Sequence, residues 1–265
     1  MIELDCQLPP GCLCDDAELF SNQLQAAGAL WLRADPADFE LDGDAVQGWN
    51  DHTGSRCALP AQPNRGHARL APPDGLGRQA LETRPQTNCG FVLPGVTLDA
   101  ARCTMAVIHR PQPGTAARTL LTLNTRYHQT NDETEAGYLY LSDDGEQLVA
   151  IDTDSDQNLA LPHPDHPDAG TRTRLAIMGI AGPRLGLMQG GGAVAEIAGA
   201  TPPHRQGTAD LFIGCRSHRK GLPKTLGQTH VLEVIFWPGL YLPNPETVQE
   251  QAQLAALLRH FHWEY

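Results

Sequence analysis

No stretch of this chain supplies the roughly 18 consecutive apolar residues of a membrane-spanning helix, so membrane insertion is not expected. Lysine is nearly missing. Lys220 and Lys224 are the only two, and 19 basic residues face 31 acidic ones for a formal net charge of −12. Binding along a nucleic-acid backbone needs a basic face, so no nucleic-acid partner is expected; the composition instead suits an acidic, self-repelling surface. Aromatics make up only 6% of the chain, yet 265 residues can bury a sizeable core without staples. The opening MIELDCQLPPGCLCDD lacks both the basic and the apolar region of a signal peptide. A Gly-x-Ser-x-Gly elbow and a glycine-rich phosphate loop are also missing, and no catalytic residue is assigned.

Seven cysteines are present, at Cys6, Cys12, Cys14, Cys57, Cys89, Cys103 and Cys215. An odd number, in a chain with no export signal, reads as mostly reduced thiols. Cys12 and Cys14, with Cys6 nearby, lack the second Cys or His pair of a four-ligand zinc site. Small apolar residues or an intersubunit contact are the stronger readings.

Residues 1–28 differ from the rest. Asp15-Asp16-Ala17-Glu18 places acidic groups where a helix N-terminus favours them. Leu19, Phe20, Gln23, Leu24 and Ala27 recur at helical spacing, and Gly28 is a stop. This helix either packs against the rest or docks the chain on a larger assembly. From Ala29 to Pro238 short apolar or alternating runs lie between turn clusters, which is the signature of a sandwich and not of βαβ units. Asp143-Asp144-Gly145 is a hairpin signal, and Gly190-Gly191-Gly192 a second turn. Near the end Asn244 can cap a helix, Pro245 suits its first position and Glu246 its dipole. Val248, Ala252, Ala255, Leu258 and Phe261 or His262 then form the expected apolar stripe. The domain reading is a helical segment over 1–28 and a sandwich with a C-terminal helix over 29–265.

The order of motifs within the sandwich is informative. Leu30-Trp31-Leu32 precedes Gln47-Gly48-Trp49-Asn50-Asp51-His52-Thr53-Gly54. Gly77-Arg78-Gln79-Ala80-Leu81, Leu211-Phe212-Ile213-Gly214, the run from Val231 to Trp237 and the segment from Asn244 to His262 follow. In that order they resemble the laminin-G-like domains of the concanavalin A-like class. The resemblance implies an all-β, antiparallel two-sheet jelly roll with short helices at both ends, its last strand near its first, and binding at loop ends. It names no ligand. Arg33 stands where that family commonly has an acidic residue, and Ser55-Arg56 replaces its usual glycine-asparagine.

Four constellations could carry chemistry. Asp152, Asp154 and Asp156 alternate and are followed by Asn158. Calcium takes six to eight oxygens, and calcium-dependent laminin-G-like domains hold the ion at a loop edge. Gln157 and His163 stand where an EF-type loop needs Gly and Glu, so a bound calcium and a solvated acidic turn are the two readings. His163-Pro164-Asp165-His166-Pro167-Asp168 alternates imidazole and carboxylate, but its prolines extend it and spread the groups; a rigid exposed loop is expected. Glu133 and Glu135 share the period that puts two carboxylates on one strand face, as glycosidases require. Their polar flanks read instead as a hairpin tip before Gly137. Arg216, His218, Arg219 and Lys220 form the one basic cluster, on a loop after the Phe212 strand. It can grip an anionic sugar or phosphate through charge-assisted hydrogen bonds, or stand as a solvated loop. Trp31, Trp49 and Trp237 are expected in the core, and Trp263 over the sheet from the closing helix.

The functional expectation is a non-catalytic module that recognises a cell-surface glycan or polysaccharide. A polysaccharide-acting glycosidase and a purely structural virion or assembly protein are the alternatives. Proteins of the resembling family are usually extracellular, and no export signal is read here. A virion or phage-like particle, contacted through the N-terminal segment, reconciles the two; a cytoplasmic location is the other reading.

Overall fold

The apolar runs pair into two antiparallel sheets in the computed structural model, which describes residues 16–54, 56–62, 64–98, 102–125, 137–164, 172–199, 207–218 and 225–265. The first sheet has eight strands. Its order is β15 (Val194–Ala198), β14 (Arg184–Gln189), β13 (Arg174–Ala181), β8 (Arg102–Pro111), β17 (Thr229–Pro238), β6 (Leu81–Thr83) and β5 (Arg69–Leu70), with β1 (Leu30–Arg33) also on β17. The second sheet has nine. Its order is β12 (Gln157–Pro162), β11 (Gln147–Asp152), β10 (Gly137–Asp143), β9 (Arg118–Thr125), β16 (Gly207–Ile213), β7 (Phe91–Leu98), β4 (Cys57–Pro60), β3 (Ala45–Asn50) and β2 (Phe39–Asp42). The all-β jelly-roll expectation holds, and the last strand pairs directly with the first, Trp31 opposite Ile235.

Side-chain alternation sorts these strands into layers. Leu121, Leu123, Leu139, Leu141, Leu211 and Ile213 of the second sheet meet Met105, Val107, Met178, Ile180, Val234 and Phe236 of the first between the sheets. The opposite faces of β8, β13 and β17 turn Ala106, Ile108, Ile177, Ile235 and Trp237 toward the helices. Trp31, Trp49 and Trp237 are fully buried, as expected. Cys89 and Cys215 are buried as well, and burial pushes the Cys215 thiol up to about 12, too high for nucleophilic work at neutral pH.

Helix α1 (Asp16–Ala26) stops at Gly28, whose φ is +63°. Its Phe20 and Leu24 are covered by helix α2 (Val248–Glu264), and Phe20 stacks on His260 at 4.2 Å. Both helices lie on the outer face of the first sheet. Between them and the sheet sits Glu233, fully buried. Its carboxylate accepts from Trp31 Nε1 at 2.8 Å and from Tyr265 Oη at 2.7 Å, and His260 Nε2 lies 2.9 Å away. Burial works to raise the Glu233 pKa, but neighbouring His260 and these hydrogen bonds bring it below the ordinary value.

Three expectations need correction here. α2 starts at Val248, capped by Thr247 in a capping box with Glu250, so Asn244, Pro245 and Glu246 precede the helix. The buried stripe is Glu250, Gln253, Ala256, Leu257 and His260, while Val248, Ala252 and Ala255 face outward, because polar groups on the inner side find partners there. Gln253, for instance, accepts from Trp237 Nε1 at 3.0 Å. Trp263 does not cover the sheet; it is 72% exposed on the outer side of the helix.

Candidate functional site

Among the described residues no helix packs on the outer face of the second sheet, although Thr122, Phe212, Val92 and Asp210 on that face are buried. Alternation places Tyr140 of β10, Thr122 of β9, Phe212 of β16 and Val92 of β7 side by side there, in register across four strands. The next row holds Tyr138, Asn124 and Asp210. Phe212 and Val92 belong to a small apolar cluster with Ala61, Cys215 and Leu226 that anchors one side. The tyrosines are half-buried. Between them and the apolar cluster, Thr122 Oγ1 and Asn124 Oδ1 are buried without a hydrogen-bond partner. Leaving such atoms unpaired costs about 1–3 kcal/mol each.

Arg216 leaves the end of β16 and lies over this face, its guanidinium carbon 4.0 Å from the centroid of the Tyr140 ring. Its Nε donates to Thr119 Oγ1 at 3.3 Å. Such a cation–π contact is worth about 0.5–2 kcal/mol and holds the guanidinium in place. His218 packs edge-on against Phe212, and its Nδ1 accepts from the Gln62 amide at 3.3 Å. Arg219 and Lys220 lie outside the described residues, as do Glu133 and Glu135 and the N-terminal Cys6, Cys12 and Cys14.

The acidic constellation is a tight hairpin turn. Asp152 ends β11 and pairs in register with Gln157, the first residue of β12, so Gln157 and Asn158 are strand and not loop. Asp152 is buried; its Oδ1 accepts the Asp154 amide at 3.0 Å, and its Oδ2 the Ser155 hydroxyl. Asp156 holds the left-handed conformation that closes the turn, with φ +53°. Thr153 bonds the backbone of Tyr138, so the turn ends beside the same strand that carries the tyrosine pair. Among the described residues no group of three His, Cys, Asp or Glu side chains is arranged to hold a metal. We expect equal thermal midpoints in millimolar calcium and in chelator. A calcium site filled to a hundredfold excess would add about 2.7 kcal/mol, and an upward shift of that order would assign the ion to this turn.

Sequence reasoning missed one constellation altogether. His163 is not on an exposed loop. Its Nε2 lies 3.0 Å from Asp143 Oδ1, and its Nδ1 lies 2.9 Å from Gln189 Nε2. Arg174 Nη1 donates to Asp143 Oδ2 at 2.6 Å, and fully buried His109 places Nε2 3.6 Å from the same oxygen. Asp165 to Asp168 fall outside the described residues. The cluster joins β8, β13 and β14 of one sheet to β10 and the end of β12 of the other. Burial first, and the Arg174 and His163 charges after it, lower His109 to about 4, against the pull of Asp143. Asp143 itself is held well below the usual carboxylate range, its burial outweighed by His163, His109 and Arg174. The group is a clasp between the sheets.

No protein-family model matches the chain, and no curated protein does. Solved structures do. A Trypanosoma rangeli sialidase in complex with 2,3-difluorosialic acid superposes over 92% of this chain with TM-score 0.55 and 14% identity. A GH54 α-L-arabinofuranosidase matches over 80% of this chain and 51% of its own, with TM-score 0.51 and 11% identity. Domain 4 of AbnA, a GH43 extracellular arabinanase from Geobacillus stearothermophilus in complex with arabinotriose, matches over 85% of this chain and 97% of its own, with TM-score 0.52 and 11% identity. The chain spans 37% of the sialidase. At these identities the likeness is one of fold, and it places this sandwich with β-sandwich domains of glycosidase chains. That overturns the expectation of a non-catalytic protein: the same architecture occurs in chains described as enzymes, so standing outside the enzymes does not follow from it.

Proposed function

We propose that the chain interacts with carbohydrate and that the glycan lies at the outer edge of the second sheet, against Tyr138, Tyr140 and Arg216. One observation carries this reading. Two half-buried tyrosine rings and a stacked guanidinium share one face of the second sheet, above two buried unpartnered polar atoms, Thr122 Oγ1 and Asn124 Oδ1. A sugar offers an apolar C–H surface to an aromatic ring and, at its edge, hydroxyls that both donate and accept. The reading is further supported by neighbours in fold that are described as acting on sialosides and arabinosides, one of them holding arabinotriose. Within it, the ligand is an acidic surface polysaccharide gripped by Arg216 and His218, with Arg219 and Lys220 in the adjoining segment. A chain of net charge −12 needs such a local positive patch to approach an anionic polymer.

A glycan array followed by calorimetry on the best ligand tests the site. Tyr140→Ala should weaken binding at least tenfold, about 1.4 kcal/mol, without changing the circular-dichroism spectrum. Replacing Arg216, Arg219 and Lys220 together with alanine should weaken binding to acidic polysaccharide at least tenfold and flatten its salt dependence. Variants that bind as the parent does would remove this face as the site. Reducing-sugar release from the same ligands decides between binding and turnover.

A further inference from the structure

A polar cavity lies on the other side of the sandwich, at the end of β1. It has a volume of about 140 Å³ and is lined by Arg33, Asp35, Leu76, Arg78, Gln79 and Tyr265, among others. An engineered cavity of about 150 Å³ holds benzene, so one six-membered ring fits. Its walls differ in how far they are committed. Arg78 is fixed: Nε donates to Asp74 at 2.9 Å, Nη1 to the Glu264 carbonyl, and the guanidinium lies 4.8 Å from the Tyr265 ring centroid. Arg33 is not. Its guanidinium enters no hydrogen bond or ion pair among the described residues and rests 5.7 Å from the Trp31 ring centroid. Gln79 Oε1 is a buried acceptor with no partner, and Asp35 uses Oδ1 to cap Ala37 at 3.0 Å.

The cavity therefore offers unused donors at Arg33 and unused acceptors at Gln79 and Asp35, beside the exposed apolar side chain of Leu76. Its charges balance, since Asp35 and Glu264 line it along with the two arginines. A simple anion would satisfy the arginines but would leave Gln79 unpaired and meet the carboxylates. Vicinal hydroxyls suit both kinds of wall, because each donates and accepts. From this geometry we infer that the cavity is a separate binding site for a neutral, polyhydroxylated ring of monosaccharide size. It shares no residue with the outer face of the second sheet and stands or falls independently of it.

Titration of the full chain with D-glucose, D-galactose and L-arabinose, followed by NMR of the Arg33 Nε–H and Gln79 side-chain amide signals, tests the inference. At least one sugar should shift both signals. Arg33→Ala and Gln79→Met should each weaken that binding at least tenfold, while Tyr140→Ala leaves it unchanged. Arg33 has no hydrogen bond or ion pair to lose, and an unchanged circular-dichroism spectrum of its variant checks that the fold is kept. Silence with all three sugars, shifts that persist in both variants, or a stronger response to glucuronate than to the neutral sugars would each overturn the proposal.

Discussion

Between pH 7 and pH 4 the protein should lose about 3 kcal/mol of stability through His109 alone. The group is cationic when protonated and, held at about 4 in the folded chain, binds its proton far less readily there than in the unfolded one, near 6.5. Across that window the unfolded state takes up the proton first, so stability is fully present above 6.5 and drains away as the pH falls. The fold puts His109 under a penalty that its neighbours do not relieve. Asp143 on β10 attracts the imidazolium, but Arg174 on β13 and His163 after β12 oppose it, and Thr229 on β17 offers Nδ1 only a hydroxyl at 3.2 Å. Below about 3.8 the depressed Asp143 carboxyl adds a second loss of the same sign. Urea unfolding at pH 7 and pH 4.5, for the parent and for His109→Leu, measures the first effect. The variant's stability should change much less between the two. Equal losses in both proteins would show that other groups govern the acid limb.

Glu233→Ala should cost about 3–5 kcal/mol, the range for removing one partner from a buried charged network. It strands three donors at once: Trp31 Nε1, His260 Nε2 and Tyr265 Oη. With total stabilities commonly about 5–15 kcal/mol, that is enough to threaten the fold. The loss is local in origin, because those donors tie β1 and α2 to β17. Proteolysis should accordingly cut the helix region of the variant first. Glu233→Gln keeps the volume and one acceptor and should cost clearly less. A change below about 0.5 kcal/mol in the alanine variant, the size of an ordinary surface substitution, would mean that the carboxylate holds nothing together.

Much of the fold was legible in the chain. Runs such as Val231 to Trp237 and Arg174 to Ile180 are long, apolar and bounded by turn residues, and each is a strand. The strands β2 to β5 were not read, because they are two to six residues long and interrupt their apolar residues with polar or small ones, as Phe39–Asp42 does with Glu40 and Asp42. The start of α2 carried a readable signal in Thr247-Val248-Gln249-Glu250, the spacing of a capping box, which the nearby Asn244-Pro245 pair obscured. Its inward stripe was hidden for another reason. Glu250, Gln253 and His260 look like surface residues until their buried partners are known. The outer face of the second sheet was half visible. Arg216 stood out by charge, but Tyr140 and Thr122 are joined to it only by strand register, and register is set by pairing across the sheet. His109, Asp143, His163, Arg174 and Gln189 lie too far apart in sequence for any local pattern to gather them.

The placement of both helices against one sheet gives the molecule a front and a back. α1 and α2 meet on the back, Phe20 against His260 and Gln23 bonded to Gln253. A chip surface, a bead or a fused partner attached through either helix therefore holds the sandwich with its second sheet turned away from the support. Immobilised this way, the protein should present Tyr138, Tyr140 and Arg216 to the solution in one common orientation. Coupling at random through surface groups would bury that sheet on part of the population.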